Sequence, residues 1–534
     1  MSADSLPGEA PTVGEALVTM LEQAGVDMVF GIPGVHTIEL YRGLAASTIR
    51  HITPRHEQGA GFMADGYARV TGRPGVCFVI TGPGITNTLT AMAQARADSI
   101  PMLVISGVNA AATLGKGLGH LHELPDQAAL ARSVALWSHT LTDPAKLSTV
   151  IEEAFTVMTG GRPGPVHLEI PTDVMKLPAG GQTFKMPAHP RPRPSSADLA
   201  TASGMIARAR HPAILIGGGA VGFGDAVRRF AEALDAPVVS TANARGVMAG
   251  SPLDVPASPS FGCVRDLFSG SDLVLALGTE LGPTDCDMYE DGGFTLPANL
   301  IRVDIDAAQL ARGAPAALAI AADLGAFIED VLGAAGIWRG NGGGGAQRAR
   351  AARDLALASL GDTYRSHVEL IEDIWRVLPG AALVGDSTQL VYAGNMFTDA
   401  PRPASWFNSA TGFGTLGYAA PAAIGAALGQ PGRPAVALLG DGGFQFTLAE
   451  LGSAHDANAD VAFVVWNNAG YMEIETSMTS ASITPIGVTP SAPDFAAIAM
   501  AYGLPSRKVH NREELSTALQ DLPRPCLIEY LAPR

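Results

Sequence analysis

The sequence predicts an α/β protein made of three doubly wound parallel-sheet domains, which we place at residues 1–185, 186–345 and 346–534. The chain of 534 residues is longer than one hydrophobic core supports. Hydrophobic residues make up 47% of it, charged residues only 16%, and it has 62 glycines, as is typical of buried parallel strands joined by tight turns. Apolar strand-like segments alternate with helical stretches, which favours helices layered on parallel sheets.

The first two domains follow this alternation. The first closes with a strand in GRPGPVHLEIPTDVM, and a linker rich in Pro and Ser is predicted over residues 181–198. The second has strand-like segments in HPAILIGGGAVGFG, APVVSTANARG, SDLVLALGTEL and LIRVDIDAAQL. Its cluster Gly217-Gly218-Gly219 could cradle a nucleotide, but the full GxGxxG fingerprint is missing and we favour a structural turn.

The third domain follows a second predicted linker, RGNGGGGAQRAR, at residues 339–350. Strands are predicted in AALVGD, PAVALLGD, VAFVVWNN and CLIEYL, and a helix is predicted over residues 446–457 (FTLAELGSAHDA).

A metal and a diphosphate are predicted at two strand ends of the third domain. Asp441 follows the strand PAVALLG, and Asn468 follows the next predicted strand. Two consecutive parallel strands would bring these side chains to one carboxyl edge, where ligands bind in open α/β folds. A carboxylate, an amide oxygen and a nearby carbonyl are hard ligands that suit Mg²⁺. The glycine turn and the helix N-terminus beside them suit a diphosphate.

Charge and composition exclude several other classes. The formal net charge of −16 argues against nucleic acid or an anionic membrane surface as a partner. There is no apolar run of about 18 residues for a membrane span, and MSADSLPGEAPTVGEAL lacks the pattern of a signal peptide. The four cysteines form no CxxC pair. We therefore expect a reduced, cytoplasmic protein.

The Gly-Asp-Gly…Asn-Asn pattern resembles that of the thiamine diphosphate enzymes. The segments VFGIPGVHTIELY, ITPRHEQGAGFMADGYARVTGRPGV and CFVITGPGITNTLTAMAQARADSIPMLVISG resemble the N-terminal domain of the acetolactate synthase and 2-oxoacid decarboxylase family. This resemblance covers essentially the whole chain, and it implies that the first and third domains are a distant duplication. It implies an N-terminal pyrimidine-binding domain, a central domain, a C-terminal diphosphate-binding domain, and thiamine diphosphate with Mg²⁺ as cofactors. It also implies a homodimer as the minimal active unit, since the cofactor bridges two chains in this family, and a homotetramer is common.

The resemblance assigns residues to the cofactor. Glu57 in RHEQG matches the glutamate that activates the pyrimidine ring, although a glutamate favoured by a helix N-terminus is the simpler interpretation of that residue alone. Leu416 in SATGFGTLGYAAPAAIGAALG matches the apolar wedge between the two rings, and the carbonyl of Gly414 would accept a bond from the pyrimidine. A helix of small residues packed on a sheet is a compatible interpretation of that segment.

The remaining assignments concern the metal and the diphosphate. By the resemblance, the metal ligands are the side chains of Asp441 and Asn468 and the backbone oxygen of Gly470. The diphosphate would be bound by the amides of Gly442 and Gly443, with Thr388 and Gln389 in GDSTQL as further donors. A plain turn is the alternative for the GDSTQL segment.

Two loop histidines suggest which reaction the protein catalyses. The loop LGKGLGHLHELPDQ at residues 114–127 places His122 where acetolactate synthases carry a glutamine, with His120 two positions earlier. A histidine near its ordinary pKa suits proton transfer to the carbanion left by CO₂ loss. A loop histidine bonded to the backbone is the structural alternative. His36 in GIPGVHTIEL is a weaker candidate.

The combination of GIPGVHTIELYRGL with GHLHELPDQ resembles the 5-guanidino-2-oxopentanoate (2-ketoarginine) decarboxylases most. A guanidinium tail would need a carboxylate, for which Glu473 and Glu475 are candidates, unless both are simply exposed helix glutamates. The resemblance thus implies decarboxylation of a 2-oxoacid to an aldehyde and CO₂, with carboligase side activity. The alternatives are an acetolactate synthase-like carboligase, an FAD-dependent oxidase, and a cofactor-binding protein without catalysis.

Overall fold

The protein is described here by a computed structural model that covers residues 10–287, 294–334 and 344–533. These residues form three six-stranded sheets in which all paired strands are parallel, with helices between successive strands. The predicted fold class is confirmed. By their contacts, the described residues group into two compact units: residues 10–189, 424–429 and 449–457 form the first, and the other described residues form the second.

The first unit contains a sheet of strand order β2-β1-β3-β4-β6-β5. Its strands are β1 (Met28–Gly31), β2 (Arg50–Ile52), β3 (Gly75–Val79), β4 (Met102–Val108), β5 (Trp137–Thr140) and β6 (Pro165–Pro171). Its helices before residue 189 are α1 (Val13–Gln23), α2 (Ile38–Ala45), α3 (Glu57–Thr71), α4 (Pro83–Ala97), α5 (Gln127–Arg132) and α6 (Leu147–Thr159). Strands β3, β4 and β6 are buried at every position, as expected for a sheet covered on both faces.

The central sheet, in the second unit, has the order β12-β11-β10-β7-β8-β9. Its strands are β7 (Pro212–Ile216), β8 (Val238–Ser240), β9 (Asp254–Val255), β10 (Leu273–Leu277), β11 (Leu300–Asp304) and β12 (Leu318–Ala321). The helices of this region are α7 (Ser196–Arg208), α8 (Gly224–Leu234), α9 (Gly262–Ser269), α10 (Pro283–Asp287), α11 (Ala307–Leu310) and α12 (Leu324–Ala334). A Cβ on Gly217 would lie 2.4 Å from the carbonyl oxygen of Gly278, so this glycine serves close packing, as the structural-turn interpretation predicts.

The third sheet, also in the second unit, has the order β14-β13-β15-β16-β18-β17. Its strands are β13 (Ala382–Gly385), β14 (Trp406–Asn408), β15 (Ala435–Gly440), β16 (Val461–Asn467), β17 (Ser506–Val509) and β18 (Cys526–Leu531). The helices of this region are α13 (Gly345–Ser359), α14 (Asp362–Val377), α15 (Gln389–Met396), α16 (Ala419–Gly429), α17 (Asp441–Phe444), α18 (Glu450–Ala457), α19 (Met472–Ser480), α20 (Phe495–Ala501) and α21 (Arg512–Asp521). The first and third sheets therefore share one strand order, which supports the inferred duplication.

Several boundaries differ from the prediction. The helix predicted over residues 446–457 begins only at Glu450. Helix α7 begins at Ser196, inside the predicted linker 181–198, because Ser195 caps it by accepting from the Asp198 amide. Helix α13 begins at Gly345, so the predicted linker 339–350 is wrong from there on, and its residues 339–343 lie outside the described residues.

The central and third sheets each have a hydrophobic cluster of their own and also share one more. One hydrophobic cluster joins Leu215 of the central sheet to Ala349 and Ala352 of α13 and to Phe397. Shared burial of this kind explains why contacts group these two sheets into one unit. In the described ranges, no helix combines the length and the apolar character that crossing a membrane requires.

Candidate active site

Glu57 lies at the carboxyl edge of the first sheet. It is the first residue of α3, directly after β2, as predicted, and its side chain is half-buried. His56 caps the helix by accepting the Gln58 amide at 3.1 Å. The side-chain amide of Asn87 donates to Glu57 Oε2 at 3.0 Å, which orients the carboxylate.

Glu450 anchors the start of the same helix. Its side chain is 1% exposed, and its carboxylate accepts the backbone amides of Arg55 and His56 at 3.1 Å and the Ser453 hydroxyl at 2.6 Å. A Cβ on Gly59 would lie 2.2 Å from Glu450 Oε1, so the glycine permits this close approach. Burial raises the pKa of Glu450, and the hydrogen bonds from Ser453 and these amides oppose the rise. Glu450 was not predicted, because in the sequence it looks like an ordinary helix glutamate 393 positions from Glu57.

His122 and His36 lie together at this edge. Their rings meet edge to face with centroids 5.4 Å apart. His36, which follows β1, is 8% exposed, and its Nδ1 is buried without a hydrogen-bond partner. Burial lowers the pKa of His36, and the neighbouring His122 lowers it further. His120 is exposed, and its backbone amide donates to Glu123 Oε2 at 2.9 Å. His36, the weaker candidate of the sequence analysis, is therefore the histidine that lies against His122.

A buried glutamine holds the loop that carries His122. Gln127 Oε1 accepts from the Thr81 hydroxyl at 2.8 Å and from the Gly82 amide at 3.1 Å. Its Nε2 donates to Glu169 at 2.9 Å. The Thr81 hydroxyl is also 3.3 Å from the His122 carbonyl oxygen. This network fixes the loop against the N-terminus of α4, and it too was missed by the sequence analysis.

Asp441 and Asn468 lie together at the carboxyl edge of the third sheet. Strands β15 and β16 pair in parallel with Gly440 opposite Trp466, as the two-strand prediction requires. Asp441 is 1% exposed, and its Oδ2 is buried without a hydrogen-bond partner. Burial raises the pKa of Asp441, and the adjacent backbone amides oppose that rise.

Three oxygen atoms converge at this site, one each from Asp441, Asn468 and Gly470. Asn468 Oδ1 lies 3.2 Å from Asp441 Oδ1 and 2.9 Å from the carbonyl oxygen of Gly470. In the described part of the chain, no group of three or more histidine, cysteine or carboxylate side chains could hold a metal ion. A metal here would therefore use one carboxylate, one amide oxygen and one carbonyl oxygen. Such oxygens repel each other unless a cation lies between them, so the donor set fits a hard divalent ion.

The turn after β16 aims the Gly470 carbonyl into this cluster. Gly470 has φ of 153°, and a Cβ there would lie 2.5 Å from the Val488 carbonyl oxygen. The next amide, of Tyr471, donates to that same carbonyl at 2.8 Å. Residues other than glycine rarely adopt such a backbone conformation, so glycine is required at this position.

Four predicted diphosphate residues lie near these oxygens. Thr388 precedes α15 as its N-cap residue, and its hydroxyl would lie 3.2 Å from a Cβ on Gly440. A Cβ on Gly442 would lie 2.3 Å from the Tyr471 ring, and one on Gly443 would lie 3.2 Å from Asp386 Oδ2. Gln389 behaves differently, because its Oε1 accepts hydrogen bonds from the Trp466 indole at 3.2 Å and from Asn468 Nδ2 at 3.1 Å.

Asp386, which the sequence analysis missed, holds the predicted wedge segment. It is fully buried; its Oδ2 accepts the Gly417 amide at 2.8 Å, and burial raises its pKa to about 6. Leu416 is half-buried beside it, with Cδ2 3.5 Å from the position of a Cβ on Gly443. Gly414 is exposed, with φ of 79°. Helix α16 begins after Leu416, as predicted.

The two glutamates considered for a substrate tail lie in the first turn of α19. Glu473 and Glu475 are both half-buried rather than fully exposed. A helix N-terminus favours negative charge at these positions, so their placement alone does not require a ligand.

Comparison with known proteins identifies the family. Domain models of the thiamine pyrophosphate enzymes match residues 11–130 (N-terminal TPP binding domain), 199–331 (central domain) and 386–530 (C-terminal TPP binding domain). The chain is also 42% identical over 519 residues to a probable 2-ketoarginine decarboxylase of Pseudomonas aeruginosa, covering 96% of this chain and 92% of that protein. The chain belongs to the thiamine pyrophosphate enzymes. Its cofactor is therefore thiamine pyrophosphate, which is the same molecule as thiamine diphosphate.

Other relatives carry a different activity in their names. This thiamine pyrophosphate enzyme is 32% identical over 559 residues to the large subunit of acetolactate synthase isozyme 1 of Escherichia coli, covering 97% of this chain and 93% of that protein. It is 33% identical over 486 residues to an acetolactate synthase large subunit of Mycobacterium tuberculosis, covering 86% of this chain and 76% of that protein. The regions matched by the two TPP binding domains contain Glu57 with His122, and Asp441 with Asn468.

Proposed function

We propose that this protein is a thiamine diphosphate- and Mg²⁺-dependent decarboxylase that converts a 2-oxoacid to an aldehyde and CO₂. The observation that carries the proposal is the contact between His36 and His122 at the sheet edge that also bears Glu57. The 42% identity to a protein named as a probable 2-ketoarginine decarboxylase supports it.

Each residue has a defined task in this proposal. The bound cofactor supplies the nucleophilic carbon and the electron sink that decarboxylation needs. Glu57, oriented by Asn87, binds and polarises the pyrimidine ring. Leu416 and the Gly414 carbonyl would contact the two rings of the bound cofactor. Asp441, Asn468 and Gly470 would hold Mg²⁺, and the amides of Gly442 and Gly443 and the Thr388 hydroxyl would bind the diphosphate.

The histidines govern the fate of the substrate carbon. After CO₂ leaves, that carbon must gain one proton before the aldehyde departs. His122 is the proposed donor, with His120 as the other loop candidate. Burial lowers the pKa of His36, which favours its neutral form, and its ring lies edge to face against that of His122.

The proposed substrate is 5-guanidino-2-oxopentanoate, whose guanidinium tail calls for a carboxylate. Glu473 is half-buried in the first turn of α19 and is the proposed partner, with Glu475 as the alternative. We expect Glu473→Gln to raise KM for the guanidino acid while leaving KM for an uncharged 2-oxoacid of similar length unchanged. Equal effects on both substrates would contradict this role.

The proposed minimal active unit is a homodimer, with a homotetramer as the larger assembly. Large hydrophobic side chains are exposed beside both groups of site residues: Val35 and Leu121 in the first unit, and Phe413 and Phe446 in the second. Such surface is typical of interfaces. If each site combines residues of two chains, mixing Glu57→Gln with Asp441→Asn subunits should restore activity, because a mixed dimer then contains one intact site. Sites formed within one chain would give no recovery.

The deciding experiment measures CO₂ release from a panel of 2-oxoacids with thiamine diphosphate and Mg²⁺ present. The panel includes pyruvate and branched, aromatic and guanidino-bearing acids, with products identified by mass spectrometry. Aldehyde formed in step with CO₂ supports the proposal. A hydroxyketone with little free aldehyde would favour acetolactate synthase-like carboligation, which the relatives at 32–33% identity make the second candidate.

A further inference from the structure

The side-chain amide of Asn468 is surrounded by oxygens on both sides. One side faces Asp441 Oδ1 at 3.2 Å and the Gly470 carbonyl at 2.9 Å, and the other faces Gln389 Oε1 at 3.1 Å. An asparagine amide has an acceptor end and a donor end. If these neighbours alone decided, the NH₂ end would turn toward the two acceptors, Asp441 and Gly470. The amide would then present a donor where a cation needs an oxygen.

Trp466 resolves which end faces which side. An indole N–H can only donate, and it donates to Gln389 Oε1 at 3.2 Å. The atom of Gln389 at this position must therefore be the oxygen. The Asn468 atom that faces it must be the nitrogen, which leaves Oδ1 directed at Asp441 and Gly470.

The indole itself is held firmly. Trp466 is buried in β16, where its ring stacks on Tyr530 with centroids 4.8 Å apart and meets His367 edge to face at 5.0 Å. Gln389 is the first residue of α15, so its backbone is fixed as well. The order of hydrogen bonds from Trp466 to Gln389 to Asn468 is thus set by rigid elements.

We propose that Trp466 and Gln389 are positioning residues that direct the Asn468 amide oxygen toward the metal ion. The inference rests on the proposed Mg²⁺ site and assigns Gln389 a different task from diphosphate binding. Residues that orient metal ligands in this way typically change metal affinity by about 10–100-fold when they are replaced.

The test measures Mn²⁺ and Mg²⁺ affinity of the full-length protein with thiamine diphosphate present and no substrate. Mn²⁺ binding is followed by electron paramagnetic resonance, and Mg²⁺ binding by competition. Gln389→Met removes the oxygen that accepts from Asn468 Nδ2, and Trp466→Phe removes the indole N–H that donates to Gln389. We expect each variant to weaken metal affinity by about tenfold or more. Gln389→Glu keeps an oxygen acceptor between the indole and the asparagine, and we expect it to bind metal more tightly than Gln389→Met.

A matched control separates orientation from stability. Trp375→Phe also removes a buried indole hydrogen bond, here one donated to the Ala381 carbonyl at 3.1 Å, and should leave metal affinity unchanged. Unchanged metal affinity in both Gln389→Met and Trp466→Phe would overturn the proposal. Asp441→Asn tests the metal site independently: if it binds metal as the wild type does, the proposed Mg²⁺ site itself is wrong.

Discussion

The imidazole rings of His36 and His122 meet edge to face, with centroids 5.4 Å apart and planes at 85°. One histidine follows β1 and the other lies in the loop after β4, so the contact joins two strand ends of one sheet. We expect His122→Gln to lower aldehyde formation by roughly 10²–10⁴-fold, because a positioned proton donor typically contributes that much. The measurement is aldehyde and hydroxyketone yield per CO₂ released.

His120→Gln is the matched variant for this experiment. His120 lies in the same loop but is exposed, so its loss should matter less. A larger effect from His120→Gln than from His122→Gln would transfer the proton-donor role to His120. If both variants kept the wild-type rate, neither loop histidine would take part in the reaction.

Glu57→Gln should lower turnover by roughly 10²–10⁴-fold while the protein still binds thiamine diphosphate. The glutamine can still accept from Asn87, which donates to Glu57 Oε2 at 3.0 Å, so the local structure is retained. CO₂ release reports turnover, and circular dichroism titration reports cofactor binding. Full activity in this variant would contradict the assigned mechanism.

His167 predicts a loss of stability in acid. Its ring is fully buried between the hydroxyls of Ser106 and Ser138, each 2.8 Å from a ring nitrogen, and burial lowers its pKa from 6.5 to about 3. Below pH 6.5 the His167 ring therefore takes up a proton in the unfolded state, but in the folded state it stays neutral until the pH is far lower. His167 makes its full contribution to the free energy of unfolding above pH 6.5. This contribution falls as the pH is lowered, by about 2 kcal/mol at pH 5.

The measurement for His167 is the urea midpoint at pH 8 and pH 5. His167→Gln should show a smaller decrease between the two conditions than the wild type. His211→Gln, at an exposed histidine, should keep the wild-type decrease. Equal pH dependence in wild type and His167→Gln would exclude His167 as a cause.

Gly59→Ala should destabilise the protein by about 1–3 kcal/mol, because the new Cβ would lie 2.2 Å from Glu450 Oε1. Gly204→Ala in α7 is the control, since its nearest neighbour would be the Arg208 guanidinium at 3.5 Å and alanine favours the helix. Thermal unfolding measures both. Adding Glu450→Asp to Gly59→Ala shortens the side chain and should recover part of the loss; a purely additive double variant would argue against the contact.

The sequence predicted those parts of the site whose signals are local. Asp441 and Glu57 each follow a strand within a short motif, so their place at a sheet edge could be inferred from neighbouring residues. Glu450, Asp386 and the Trp466–Gln389 pair act through contacts between distant segments, for which a single sequence offers no spacing to recognise.

Elements with a weak apolar pattern also escaped prediction. Strand β14 has three residues, and β17, with the sequence SRKV, is mostly half-buried or exposed. The core shared by the central and third sheets was not predicted either, because burial against another sheet leaves the same apolar pattern as burial within one.

The common strand order of the first and third sheets separates the residues that stabilise the fold from those proposed to carry the chemistry. In both sheets the apolar strands supply stability, while most of the proposed site residues lie in the short segments that follow them. In the proposed site, the first sheet supplies a glutamate and histidines from the segments after β1, β2 and β4, and the third sheet supplies oxygens for a metal from the segments after β15 and β16. Residues 115–121 of the loop between β4 and α5 are exposed, so substitutions there should leave the core of the sheet intact, which makes this part of the loop a natural place for directed evolution.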